Sequence, residues 1–273
     1  MVREKTMRVF ISSDMEGTAG VVDWQETEQE HPNQYQPFSV QMSREVAAAC
    51  QGAIDAGAQD VVVKDAHDSA RNIIFDMLPE SVRMIRGWTG DMHSMMSGIQ
   101  HGKFDAALMT GYHTGVAQTG SPLSHTMNLQ NSMVRLNGEP ASEFVLNAYM
   151  AGYYKVPVAF LSGDQEICEQ ARRMIPGIET VATKEGIGGA VLSIHPALAV
   201  KRIHAGVQKA LSGDLRSCLV AMPEHFQMEI TYRKHQEAFT RANYPGAVLK
   251  DGNTVSFEAE DYMEIMRFMN FCL

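Results

Sequence analysis

Asp14 and Glu16 stand two residues apart in the run Ser13-Asp14-Met15-Glu16-Gly17. Just past a strand, that spacing turns both side chains to the same side. Two carboxylates held together repel each other unless a cation lies between them. Hard divalent ions and zinc both accept carboxylate oxygen. On this segment alone, a solvated acidic loop with Glu16 capping a helix is the simpler reading. His67, in Lys64-Asp65-Ala66-His67-Asp68-Ser69, could bind a metal through one ring nitrogen while a carboxylate orients the other. A surface histidine in a polar turn accounts for it equally well. His113 is set between Gly111 and Gly115, and glycine lets backbone approach a ligand closely. A tight turn with an incidental histidine would look the same. His125, in Pro122-Leu123-Ser124-His125-Thr126-Met127, carries no local sign of ligation. Glu143 opens a helix expected from Ser142 to about Tyr153, where a first-turn carboxylate favours the helix dipole.

These residues need a scaffold that brings them together. Short apolar runs predict strands at Arg8–Ser13, Asp60–Lys64, Val82–Arg86, Ala106–Thr110 and Pro157–Ser162. Amphipathic stretches predict helices at Ser39–Ala56 and Gln165–Met174. This rhythm implies a parallel sheet with helices on both faces. Ligands of such sheets collect outside the carboxyl ends of the strands. Asp14 and Glu16, His67, His113 and Gly163-Asp164 all fall at that address. The second half predicts a helix at His195–Leu211, strands at Gln227–Arg233 and Thr254–Phe257, and a terminal helix at Ala259–Cys272. A boundary is expected near residue 190, around Gly186-Ile187-Gly188-Gly189. That glycine cluster lacks the third glycine of a dinucleotide loop, since Val191 stands there, and reads as a helix cap.

Composition narrows the classes. Lys plus Arg is 23 against 32 Asp plus Glu, a net charge of −9 over 273 residues. Nucleic-acid binding needs cations that neutralise phosphate, so it is not expected. No apolar run reaches the roughly 18–20 residues of a membrane span, and Val9-Phe10-Ile11 is too short for a signal-peptide core. Cys50, Cys168, Cys218 and Cys272 are scattered without a CxxC pair, which fits reduced thiols in a cytoplasmic protein. HExxH, GxSxG and GxxxxGK[ST] are absent.

Taken in order, Ser13-Asp14-Met15-Glu16-Gly17, Asp65-Ala66-His67-Asp68, Gly111-Tyr112-His113, Ser124-His125-Thr126-Met127 and Glu143 with Leu146-Asn147-Ala148-Tyr149 resemble the DppA-type D-aminopeptidases. These are zinc-dependent bacterial peptidases. The resemblance is dense over roughly residues 7–165 and extends through Pro157-Val158 and Gly163-Asp164. It implies two zinc ions per subunit held by Asp14, Glu16, His67, His113 and Glu143, with Asp14 as the bridge. It implies His125 as the catalytic residue, by direct attack; a proton-shuttling role is the alternative we favour. It also implies two α/β domains, each of three α/β/α layers, the first (1–190) catalytic with a mainly parallel sheet and the second (191–273) smaller. A ring-like homo-oligomer, a homodecamer in the characterised member, is implied as well. The expected substrates are short peptides such as D-Ala-D-Ala. An aminopeptidase must also hold a free ammonium, for which Asp65, Asp68 and Asp164 are the candidates. Competing readings are a metal-dependent amidohydrolase of other specificity, acting on L-peptides or non-peptide amides, and a non-enzymatic peptide-binding protein. A dinucleotide-dependent enzyme would rest on Gly186–Gly189 alone.

Overall fold

Residues 6–273 are described by a computed structural model. Strands run in chain order as β1 (Met7–Ser13), β2 (Ala58–Asp65), β3 (Arg83–Ile85), β4 (Ala106–Tyr112), β5 (Asn131–Leu136), β6 (Glu139–Pro140), β7 (Val158–Asp164), β8 (Glu179–Ile187), β9 (Ala190–Ser193), β10 (Phe226–Tyr232), β11 (Val248–Leu249) and β12 (Thr254–Ala259). Helices are α1 (Pro32–Asp55), α2 (Glu143–Tyr153), α3 (Gln165–Met174), α4 (Pro196–Ser212), α5 (His235–Arg241) and α6 (Tyr262–Cys272).

The first sheet has the order β3-β2-β1-β4-β7-β8-β9. All neighbours are parallel except the β8–β9 hairpin. β4 and β7 are buried along their whole length, as strands covered on both faces must be. From β1 the chain crosses left to β2, and from β4 it crosses right to β7. Right-handed crossovers then put α1 on one face and α2 on the other. α4 packs on α1, and α3 packs beside α2. The direction reverses between β1 and β4, which opens a crevice at the carboxyl ends of those two strands.

The second sheet, β11-β12-β10-β5-β6, is antiparallel. β10 alternates between buried and half-buried positions. Phe226, Met228 and Ile230 face inward with Val134, Leu136, Val255 and Phe257, against Tyr262 and Phe268 of α6. Gln227, Glu229 and Thr231 turn outward.

The chain passes between the two sheets more than once, and two local expectations, a helix cap at Gly186–Gly189 and a helix start at Ser39, are corrected. Sheet membership does not divide near residue 190. β5 and β6, at 131–140, pair into the second sheet, while α4, beyond 190, packs back on α1. Asn137 (φ 53°) and Gly138 (φ 83°) make the positive-φ turn that folds β5 onto β6, and pairing of β5 with the distant β10 places that hairpin in the second sheet. Gly188 (φ 58°) turns the β8–β9 hairpin rather than capping a helix. Helix α1 starts at Pro32 and runs through Pro37, not from Ser39. Pro32 suits the first helical turn. Tyr35 and Ser39 hold the early turns by donating to Asn72 Oδ1 (2.9 Å) and Asn72 O (2.6 Å).

Candidate metal centre

The crevice gathers the residues singled out from the sequence. Asp14 follows β1 directly, His113 follows β4, His67 comes two residues after β2, and Glu143 is the first residue of α2. The Asp14 N–H donates to Thr110 O (2.8 Å) and the Gly17 N–H to Gly111 O (2.7 Å), which lays the ligand loop along the end of β4. Gly111 adopts φ +70°, and a Cβ there would stand 2.1 Å from Asp14 O, so only glycine permits this approach. Ser142 caps α2 by accepting from the Val145 N–H. That fixes where Glu143 leaves the helix.

Two triads result. His67 Nδ1 lies 3.3 Å from Asp14 Oδ1 and 3.0 Å from Glu16 Oε2. His113 Nε2 lies 3.3 Å from Asp14 Oδ2 and 3.4 Å from Glu143 Oε2. Asp14 therefore offers one oxygen to each. His125 stacks on His113 with ring centroids 4.3 Å apart and planes 5° from parallel. Its Nε2 is 3.6 Å from Glu143 Oε1 and 4.0 Å from Glu16 Oε1. Glu143 Oε1 also accepts from the Met127 N–H (2.7 Å), which ties the His125 loop to α2.

The far ring nitrogens define the tautomers. His67 Nε2 faces Thr27 O (2.8 Å), His113 Nδ1 faces Thr114 O (2.9 Å), and His125 Nδ1 faces Leu123 O (2.9 Å). A carbonyl only accepts, so each of these nitrogens carries the proton. The other nitrogen of each ring then turns a lone pair on the carboxylates. Such an array is repulsive unless protons or cations fill it. Asp14 Oδ2, Glu16 Oε2 and His113 Nε2 are buried with no hydrogen-bond partner. The donor set, carboxylate oxygen plus imidazole held by a backbone carbonyl, is that of a zinc or similar divalent site.

Electrostatics say the same. Burial, and next the charge of Glu16, raise the Asp14 carboxyl. Burial also opposes ionised Glu16 and Glu143, but the imidazoles overcome it. They hold Glu16 well below its ordinary value and Glu143 at about 2. Burial opposes a charged His67 or His113 too, yet the carboxylates push both well above 6.5. Without cations the cluster therefore stores protons. Imidazoles raised in the folded state add stability below the unfolded value of about 6.5 and lose it as pH climbs toward the folded values. The chelated protein is expected to melt higher at pH 6 than at pH 8. Added Zn²⁺ should remove the difference, because metal displaces those protons. A pair of melting series checks this.

The cluster floors a cavity of about 310 Å³ walled by Trp24, Trp88, Met95, Leu129, Glu28 and Asp68. Both tryptophans of the chain stand here. Trp24 meets the His125 ring edge-on at 5.1 Å, and Trp88 Nε1 donates to Asp68 O (2.6 Å). Of the three acids considered for an ammonium, two have other work. Asp65 accepts from Asn72 N, Asn72 Nδ2 and Ile73 N, and Asn72 Nδ2 in turn holds His67 O (2.6 Å). Asp164 accepts from Thr114 N, Thr114 Oγ1 and Ile167 N. Asp68 remains, joined by Glu28, which sequence reasoning missed because no motif surrounds it.

The comparisons with known proteins run the length of the chain. A family model described as D-aminopeptidase (peptidase M55) matches residues 7–271. A curated D-aminopeptidase of Bacillus subtilis (strain 168) is 30% identical over 265 residues, covering 96% of this chain and 95% of that protein. The solved structure of the Zn-dependent D-aminopeptidase DppA from Bacillus subtilis, a self-compartmentalizing protease, superposes with a TM-score of 0.89 at 28% identity, covering 96% of this chain and 95% of that one. No helix among the described residues is long and apolar enough to cross a membrane. From its first strand to its last helix, this chain belongs to the D-aminopeptidase family.

Proposed function

We propose that this protein is a dinuclear zinc aminopeptidase that hydrolyses short peptides with an N-terminal D-residue, D-Ala-D-Ala being the type. The observation that carries the reading is the pair of carboxylate–imidazole triads sharing Asp14, their lone pairs turned on one another. Asp14, Glu16 and His67 would hold one ion, and Asp14, His113 and Glu143 the other. Bound there, the pair supplies Lewis-acid polarisation of the scissile carbonyl and a water of lowered pKa.

The remaining roles fall to the chain's own side chains. His125 keeps its Nδ1 proton on Leu123 O, so Nε2 is free to take a proton and return it to the departing amine. Direct attack by Nε2 on the carbonyl is the rival route. Rapid quenching that traps an acyl-imidazole on His125 would establish it. Glu28 and Asp68, which have no ion-pair partner among the described residues, face the cavity that the substrate's ammonium must enter. The indole of Trp24 and the Leu129 side chain exclude water from the apolar side. Chirality at the first residue is read by the shape these walls leave.

A homo-oligomer, with a decamer as the expected state, goes with this reading because the structural relative is self-compartmentalizing. A cytoplasmic location goes with it too, as all four cysteines are buried free thiols. The deciding experiment chelates the protein, restores Zn²⁺, and assays D-Ala-D-Ala against L-Ala-L-Ala. Activity should vanish on chelation, return with zinc, and favour the D-peptide. Equal rates would move the protein to a broader amidohydrolase. Glu143→Gln keeps volume but removes a charge from one triad only. It is expected to weaken one of two zinc equivalents in a titration and leave the other in place.

A further inference from the structure

Strand β8 reaches into the ligand loop from across the sheet. Lys184 is 2% exposed, and its Nζ donates to Glu16 O and to Val21 O, the latter at 2.6 Å. Thr183, fully buried beside it, donates through Oγ1 to Gly17 O (2.6 Å), with Gly163 O at 2.9 Å alongside. Three carbonyls of one short loop are thus met by two consecutive side chains. Neighbours on a regular strand point to opposite faces. Here the register slips: Gly163 sits opposite Ala182 and Asp164 opposite Lys184, which leaves Thr183 unmatched. Such a bulge re-aims side chains, and this one turns both toward the same loop. From the other side, Glu45 of α1 accepts from the Ala19 N–H (3.0 Å) and from Gln41 Nε2 (2.9 Å). The loop that carries Asp14 and Glu16 is gripped between β8 and α1.

A buried ammonium is destabilising unless its environment answers it. Lys184 has no carboxylate within ion-pair distance among the described residues, and two backbone carbonyls take its protons instead. An apolar side chain would fill the space without that cost, so packing does not explain a lysine here. Geometry does. The carbonyl it holds belongs to Glu16 itself, whose carboxylate stands 3.0 Å from His67 Nδ1. The Asp14, His113 and Glu143 triad takes no contact from Lys184.

We propose that Lys184 is a positioning residue for one of the two cations: by fixing the backbone at Glu16 and Val21 it sets the Asp14–Glu16–His67 triad, and Thr183 supports it through Gly17. The inference rests on the dinuclear reading above. Lys184→Met keeps length and apolar bulk and removes the donors. Thr183→Val is nearly isosteric and removes one hydroxyl. Both are chelated and titrated with Zn²⁺ by calorimetry, and with Co²⁺ by absorption, beside the native protein. The native protein should take up two ions. Lys184→Met should weaken one binding step by about 10–100-fold, as loss of an orienting partner does, leave the other within a factor of about two, and change only half of the Co²⁺ spectrum. Thr183→Val should weaken the same step by less. Two unchanged steps, or two equally weakened ones, overturn the inference. If Lys184→Met does not fold, the Thr183→Val titration decides, and an unaltered profile refutes it. Fewer than two ions in the native protein would instead overturn the dinuclear reading, and this inference with it.

Discussion

Asp14→Asn is expected to strip both ions from the protein and to lower turnover of D-Ala-D-Ala by on the order of 10³-fold or more. Catalytic metal contributes several kcal/mol to the transition state, and each 1.36 kcal/mol is about tenfold in rate. No other side chain belongs to both triads. Oδ1 faces His67 and Oδ2 faces His113, so an amide removes charge from two sites in one substitution and puts an N–H where one of them needs an acceptor. His67→Ala and His113→Ala should each cost mainly one ion. Metal content by atomic absorption, beside circular dichroism to show that the fold persists, separates these cases. An Asp14→Asn protein that keeps two tight zinc equivalents would refute the bridging role.

His125→Ala should do the reverse: both ions stay and turnover falls by about 10²–10⁴-fold, the usual share of a proton-transferring group. The geometry supports the split. His125 Nε2 stands farther from the carboxylates, at 3.6 and 4.0 Å, than His67 or His113 does. Its ring is held by stacking on His113, the edge of Trp24 and the bond to Leu123 O. A KM that barely moves while kcat falls would place its contribution in the chemical step. Full activity in the alanine variant would end its catalytic assignment.

The clustering of the candidate site was legible in the sequence because its residues sit where buried strands stop. The runs Val9-Phe10-Ile11 and Val61-Val62-Val63 mark β1 and β2 without ambiguity, and the polar residues just beyond them must lie at one rim of a parallel sheet. Ser142 and Glu143 were readable as a capped helix start. What escaped was long-range. Lys184 lies in a strand whose importance comes from a carbonyl 168 residues away, and no local pattern encodes that. Glu28 reaches the cavity only through the short turn after Asp23, whose Trp24 meets His125 edge-on. The start of α1 was hidden by Pro37, which in isolation reads as a helix boundary. The β5–β6 hairpin did have a signal, Asn137-Gly138, but its partner strand β10 is some ninety residues on. Which sheet the hairpin joins is decided by packing, not by the turn.

Glu143 differs from the other four ligand candidates in where its backbone comes from. The chain reaches it straight from β6, in the antiparallel sheet, whereas Asp14, Glu16, His67 and His113 hang from the parallel one. Cations seated between them would rivet the start of α2, where the chain leaves the antiparallel sheet, to the rim of the parallel one. Loading with zinc should then shield that junction from protease and slow amide exchange along α2, so that the ions serve as mechanical fasteners as well as reagents.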